Sequence, residues 1–233
     1  MHAMSLTPPI EDAWLVIPVF EEEQVLAGVL HEALEVFPHI VVVDDASADR
    51  SAQIAREVGV TVVRHPINLG QGAALQTGID YVLRATEPTQ AAYLVTFDAD
   101  GQHRVQDAAA MVAKAREGHL GAVFGSRFLD DRTRPGLLKK IVLKAAVWLT
   151  NQQTGMKLSD AHNGLRVLRR DAALALDLRQ NRMAHATEIV LQLGRTGLPW
   201  AEHPVHVLYT DYSRSKGQSL INSVNILVDS ILK

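Results

Sequence analysis

The chain has 233 residues, 47% of them hydrophobic and 21% charged, with a formal net charge of −3. That length and balance suit one large folded domain and exclude low-complexity and collagen-like chains. The small negative charge argues against generalised nucleic-acid binding, and with no cysteine there are neither disulfides nor thiolate metal sites.

Along the chain, short apolar runs alternate with helical patterns. Residues 14–19, 40–43, 60–63, 93–97 and 122–124 read as strands, rich in β-branched residues and lacking polar alternation, as in strands buried on both faces. Helical patterns over roughly residues 22–36, 51–57, 72–85 and 105–117 separate them. This βαβ rhythm predicts an α/β fold, a Rossmann-like, mainly parallel sheet flanked by helices. After about residue 130 the rhythm changes. A loop at 132–136 leads into a basic amphipathic helix over 137–150, with Lys139, Lys140 and Lys144 beside Trp148. A polar loop over 151–163, a short strand at 165–168, a helix at 186–196 and a strand at 201–208 follow, the last near a sheet edge because of Pro204. Leu220, Ile221, Val224, Leu227, Val228 and Ile231 mark an apolar stripe on a final helix. No run of about 18 apolar residues indicates a membrane span, and the first eleven residues lack the pattern of a signal peptide.

In parallel sheets ligands bind beyond the carboxyl ends of the strands, and two acidic motifs fall there. Asp98-Ala99-Asp100-Gly101-Gln102-His103 follows the fourth strand. In extended chain, Asp98 and Asp100 point the same way, so both can converge on one hard cation such as Mg²⁺ or Mn²⁺; the other reading is an acidic turn around Gly101. Asp44-Asp45 closes the second strand, where a carboxylate can contact a base or ribose; Asp45 is the expected ligand contact and Asp49 the expected helix cap. Asn68-Leu69-Gly70-Gln71-Gly72 precedes a helix and reads either as a phosphate-approach loop or as a tight capping loop. Pro18 to Glu22 close the first strand, with an acidic residue placed to meet a nucleoside or to favour a helix N-terminus.

These segments, with Gly125-Ser126-Arg127, residues 159–166 and residues 212–219, resemble the family 2 glycosyltransferases of GT-A fold. The similarity is greatest to the dolichyl-phosphate mannose synthase and bacterial polyprenyl-phosphate group, and it covers nearly the whole chain. The resemblance implies a nucleotide-sugar donor (UDP-, GDP- or dTDP-linked), Mg²⁺ or Mn²⁺ at the Asp-x-Asp motif and inversion at the anomeric carbon. It divides the single domain into a donor half (12–130), an acceptor half (131–212) and a C-terminal amphipathic helix (213–233). Carried over by position, Pro18, Phe20, Glu22, Asp44, Asp45, Gly70, Gln71, Asp98 and Ala99 would line the donor site. Asp98, Asp100 and Gln102 would hold the metal, with Asp100 catalytic. Arg127 would approach a phosphate. Glu21, Phe20, Gln71 and residues 163–166 depart from the usual family pattern, and none of these touches the metal motif.

Two acceptors remain open. A polyprenyl phosphate needs cations and no base, and Arg127, Arg134, Arg214 and Lys216 are the candidates. A glycan hydroxyl, as in a rhamnose-type polymer, needs a carboxylate base; Glu188 stands roughly where relatives carry one, or it is a first-turn helical acid. The basic residues after 130 tilt the expectation to the lipid phosphate. The expected location is the cytoplasm, with peripheral contact at the membrane face, a small membrane-protein partner or a homodimer as further options. A sugar nucleotidyltransferase lacks support because residues 18–23 carry no Gly-rich basic signature; a non-enzymatic binding subunit would not need the Asp-x-Asp-x-Gln set.

Overall fold

The structure, a computed structural model, describes residues 8–129, 147–148, 151–152, 155–180 and 184–208. Seven strands and six helices are defined among them. The strands are β1 (Ala13–Val19), β2 (His39–Asp44), β3 (Thr61–Arg64), β4 (Tyr93–Thr96), β5 (Ala122–Ser126), β6 (Arg166–Arg169) and β7 (Trp200–Pro204). The helices are α1 (Leu26–Leu34), α2 (Ser51–Val58), α3 (Gln71–Ala85), α4 (Val105–Glu117), α5 (Arg170–Leu174) and α6 (His185–Thr196).

The strands form one sheet in the order β3-β2-β1-β4-β6-β5-β7. β1 pairs in parallel with β2 and β4, β2 with β3, and β5 with β7. β6 alone runs the other way, antiparallel to both β4 and β5. Period-two alternation sends each strand's side chains to two cores. Leu15, Ile17, Val19 and Val42 pack with α1 and α4 residues such as Leu26, Leu30, Met111 and Val112. Val16, Val41, Val43 and Leu94 pack with Ala74, Leu75 and Ile79 of α3 and with Ile189, Val190 and Leu193 of α6. Both faces are covered, which is why the strands read as uninterrupted apolar runs.

The tightest sheet–helix approach lies beneath α3, where a Cβ on Gly78 would stand 2.4 Å from Val16 Cγ1. The mainly parallel α/β sheet is as expected, and α2, α3, α4 and α6 begin and end within a residue of their expected positions. Three boundaries differ. α1 begins at Leu26, because the N–H groups of Glu21, Glu22 and Glu23 are held by Ser47 Oγ, Ser51 Oγ and Asp49 Oδ2 and so stand outside the helix. β7 stops at Pro204, whose ring removes a ladder donor. Asn151 and Gln152 are helical where a loop was expected.

Of the basic amphipathic stretch, only Val147 and Trp148 are described; Val147 is buried in the α3–α6 core and Trp148 is 60% exposed. Arg134, Lys139, Lys140, Lys144, Arg214, Lys216 and the 213–233 helix lie outside the described residues. Among the described residues no helix is long and apolar enough to cross a membrane.

Candidate active site

A cavity of about 370 Å³ opens at the carboxyl ends of β2, β1 and β4, a size suited to a small-molecule ligand. On one side it is lined by Pro18, Val19, Phe20 and Glu22 after β1 and by Asp45 after β2. Asn68 and Gly70 before α3, Gln71 and Ala74 in its first turn, and Asp98, Ala99 and Asp100 after β4 also line it. The far side is lined by His162, Gly164, Arg166, His185 and Ala186.

The β1 exit is stapled rather than helical. Besides the three amides already named, Arg50 N donates back to Glu23 Oε2 at 3.0 Å. Glu21 and Ala46 adopt left-handed φ values of 55° and 61°, which lets the two strand-end turns interlock. Asp49 accepts from Ser51 N at 2.9 Å, but the N-cap position of α2 is Arg50, one residue later than expected, and it carries no side-chain cap hydrogen bond.

The two acids closing β2 part company. Asp44 is fully buried, outside the cavity lining, and ion-paired with Arg64 Nε at 3.0 Å; the structure does not bring it to the site, because adjacent positions on an extended chain face opposite ways. Asp45 does reach the cavity, yet its carboxylate is already engaged. Oδ1 accepts from Leu69 N at 2.8 Å and lies 2.7 Å from His65 Nδ1, while Oδ2 accepts from Gly70 N at 2.7 Å. His65 Nε2 continues to Thr77 Oγ1 at 2.9 Å. Asp45 therefore positions the 69–71 loop against α3, and Gly70, with φ 93°, supplies the left-handed turn that loop requires.

Asp98 is held from three directions. Gln71 Nε2 donates to Oδ1 at 3.1 Å, and His103 Nε2 lies 2.9 Å from Oδ2. Gly164 packs directly on the carboxylate, since a Cβ there would stand 2.1 Å from Oδ2. Burial alone would raise the Asp98 carboxyl, but the hydrogen bond and charge of His103, with Arg166 and His185, outweigh it and hold the group below the usual range. Asp100 goes the other way. Burial and then the charge of Asp98 push it up to about 6, against the pull of the Gln102 N–H on Oδ1 at 3.0 Å. Adjacent carboxylates so arranged repel until a cation joins them, so this all-oxygen pair fits a hard divalent ion.

Gln102 was expected as a third ligand. It is buried and outside the lining; its backbone braces Asp100 and accepts from Leu208 N. Among the described residues no three His, Asp or Glu side chains form a metal-binding group. An ion at Asp98 and Asp100 would therefore complete its shell from ligand oxygens and water.

Two further residues singled out by the sequence lie outside the cavity lining. Glu188 is absent from the cavity lining. Its carboxylate accepts from Arg179 N at 3.0 Å and Gln180 N at 2.9 Å, fastening the chain before α6 to that helix's first turn. Arg127 is also outside the lining, its guanidinium gripping Asp160 from Nε at 2.6 Å and Nη2 at 2.8 Å. That pair holds the Asp160 carboxyl below its usual range despite burial, which opposes it. Among the described residues the Lys or Arg that does reach the cavity is Arg166, 1% exposed. It opens the antiparallel strand β6 opposite Thr96, so it begins where the parallel strands end. His162, His185 and Gly164 were likewise unassigned. The signals in the sequence were the family resemblance over residues 159–166 and a charged residue within the short apolar strand at 165–168, a rare placement for a fully buried position.

This sheet, with acidic strand ends around one cavity, is the architecture of GT-A glycosyltransferases. The solved structure of glucosyl-3-phosphoglycerate synthase from Mycobacterium tuberculosis, in complex with Mn²⁺ and UDP-glucose, matches with a TM-score of 0.66 at 18% identity, over 95% of this chain and 78% of that one. The chain belongs to glycosyl transferase family 2, whose profile matches residues 14–176, and it is a glycosyltransferase. It is 32% identical over 96% of its length to an uncharacterised protein of Methanocaldococcus jannaschii, spanning 92% of that protein. It is 27% identical to the UDP-N-acetylglucosamine–dolichyl-phosphate N-acetylglucosaminyltransferase of Methanococcus voltae, over 89% of this chain and 90% of that one.

Proposed function

We propose that the protein transfers a sugar, with inversion, from a nucleoside-diphosphate donor to a polyprenyl phosphate at a membrane surface, aided by Mg²⁺ or Mn²⁺. The observation that carries the reading is the Asp98–Asp100 pair at the centre of a cavity running from Phe20 on one side to Arg166 on the other.

The donor's nucleoside belongs on the β1–β2 side. There Phe20, 43% exposed, offers an aromatic face at the rim, and Glu22 offers a carboxylate to base or ribose hydroxyls. Asp45 shapes this side through the 69–71 loop. The donor diphosphate lies toward Asp98 and Asp100. A divalent ion there supplies Lewis-acid stabilisation of the charge that develops on the leaving diphosphate. Asp100 offers it a carboxylate oxygen, and Asp98, kept ionised and fixed by Gln71 and His103, offers the second.

The acceptor reading rests on two supports. A relative matched over nine-tenths of both chains carries dolichyl phosphate in its name. In addition, the carboxylate suggested as a base, Glu188, is committed to backbone amides, whereas a phosphate acceptor is already an anion near neutral pH and needs no base.

The test is a panel of UDP-, GDP- and dTDP-sugars with Mn²⁺ or Mg²⁺, offered farnesyl phosphate or a glycan acceptor. Metal-dependent formation of a sugar–phosphate–prenyl product is the expected result. Product formed on the glycan alone would transfer the acceptor assignment to a hydroxyl.

A further inference from the structure

We infer that Arg166, flanked by His162 and His185, forms a phosphate-binding subsite on the β6 side of the cavity, separate from the Asp98–Asp100 pair. It rests on the proposed transfer to a phosphate acceptor and deepens it by naming the groups that receive the anion.

The starting point is a buried charge with little to do. Burial of a guanidinium is costly unless it is paired. Arg127 meets that requirement through Asp160 in a two-pronged ion pair. Arg166 does not. Among the described residues its guanidinium makes one hydrogen bond, from Nη2 to the Ala161 carbonyl at 3.3 Å, and its Nε is buried without a partner. No carboxylate stands within ion-pair distance of it among the described residues; Asp160 is committed to Arg127, and Asp98 attracts it only through space. Burial lowers the Arg166 pKa to about 10, with Asp98 and Asp160 opposing, so the group is still a cation at neutral pH.

The surroundings select the ligand. His162 lines the same cavity. Burial, reinforced by Arg127, Arg166 and His185 against the pull of Asp160, lowers its pKa to about 4. The ring is therefore neutral at physiological pH, with one nitrogen carrying a proton to donate. Among the described residues its Nδ1 is buried without a partner, and its Nε2 lies 3.5 Å from Thr187 Oγ1. His185 adds a third nitrogen-bearing side chain at the first residue of the twelve-residue helix α6, where the backbone also favours an anion. A permanent cation, the neutral imidazole of His162 and a helix N-terminus suit a phosphate ester.

Strand order places Arg166 on β6, one strand beyond the Asp98 strand and on the opposite side from Phe20. A phosphate there would stand on the acceptor side of the metal pair. The same chemistry could instead hold the distal phosphate of the donor.

The experiment uses the full chain. Without metal, inorganic phosphate and then farnesyl phosphate are titrated while the Arg166 Nε–H resonance is followed, assigned by its loss in Arg166→Lys. The affinity of Arg166→Met for farnesyl phosphate, and for UDP, GDP and dTDP with Mn²⁺, is compared with wild type. The expected result is a shifted Nε–H signal in wild type, with Arg166→Met losing about tenfold or more in farnesyl phosphate affinity and less than about threefold in nucleoside diphosphate affinity. Arg166→Lys, which keeps a cation, should recover part of the loss. A loss confined to the nucleoside diphosphates keeps the subsite and makes the donor the source of its phosphate. An unmoved Nε–H signal overturns the subsite, even if Arg166→Met does not fold. If wild type transfers no sugar to farnesyl phosphate, the lipid-acceptor reading falls, while the response to inorganic phosphate still decides the subsite.

Discussion

The two sides of the cavity satisfy their polar groups in opposite ways. On the β1–β2 side, Asp45, Ser47, Asp49 and Ser51 spend their side chains on backbone amides and on His65, so the strand-end loops are braced without any ligand. On the β6 side, among the described residues, the cavity-lining Arg166 and His162 bury Nε and Nδ1 without partners; the buried Asp44 oxygens of the β2 side also make no hydrogen bond, but Asp44 lies outside the lining and is ion-paired with Arg64. Buried polar atoms are nearly always paired in a finished structure. One side is thus a preformed mould, and the other has polar atoms still to be engaged. Between them stand Asp98, braced, and Asp100, pushed up by its neighbour.

The sharpest test of the centre is Asp100→Ala. Removing one of the two carboxylates that would hold the ion should lower kcat by about 10³-fold or more, an effect of several kcal/mol. Circular dichroism should report an intact fold. Metal-dependent transfer retained at wild-type rate would remove Asp100 from the chemistry.

Next in size is Gly164→Ala, which joins the two sides. The new methyl would collide with the Asp98 carboxylate, so a stability loss of about 1–3 kcal/mol is expected, with weakened Mn²⁺ binding by calorimetry. Unchanged metal affinity would show that Asp98 does not need its present position.

The pH dependence follows from Asp100. Its pKa of about 6 lies above the ordinary carboxylate value. The folded state therefore holds this proton more tightly than the unfolded chain, and Asp100's contribution to stability falls as pH rises from about 4 to about 6. A metal must displace the same proton. Mn²⁺ affinity should therefore weaken by up to about tenfold for each unit below pH 6 and level off above pH 7. A flat profile across pH 5–7 would place the ion elsewhere.

Smallest is Glu188→Gln. With the carboxylate fastening the backbone before α6, a stability loss of about 1 kcal/mol is expected, with kcat within about threefold of wild type. A collapse of kcat in a folded variant would restore Glu188 as a base and break the contrast between the two sides.

Much of the first half was legible in the sequence. Its strands and helices repeat as unbroken apolar runs and 3.6-residue stripes, signals that local burial on both faces writes into consecutive residues. The Asp-x-Asp turn was legible for the same reason, since a strand end and a two-residue alternation are local. Asp45 was the expected contact and it does line the cavity; that its carboxylate is spent on the loop returning from residue 69 was not legible, because that partner is distant in sequence.

By itself, then, the sequence determined a mainly parallel α/β sheet with acids at its carboxyl edge. Only the tertiary structure decided which cation meets them. Arg127 is consumed by Asp160, 33 residues away, while β6 inserts antiparallel between β4 and β5 and brings its first residue to the ligand edge. Strand direction is set by what pairs across the sheet rather than by the strand's own residues, so Arg166 could be placed only once that pairing was seen.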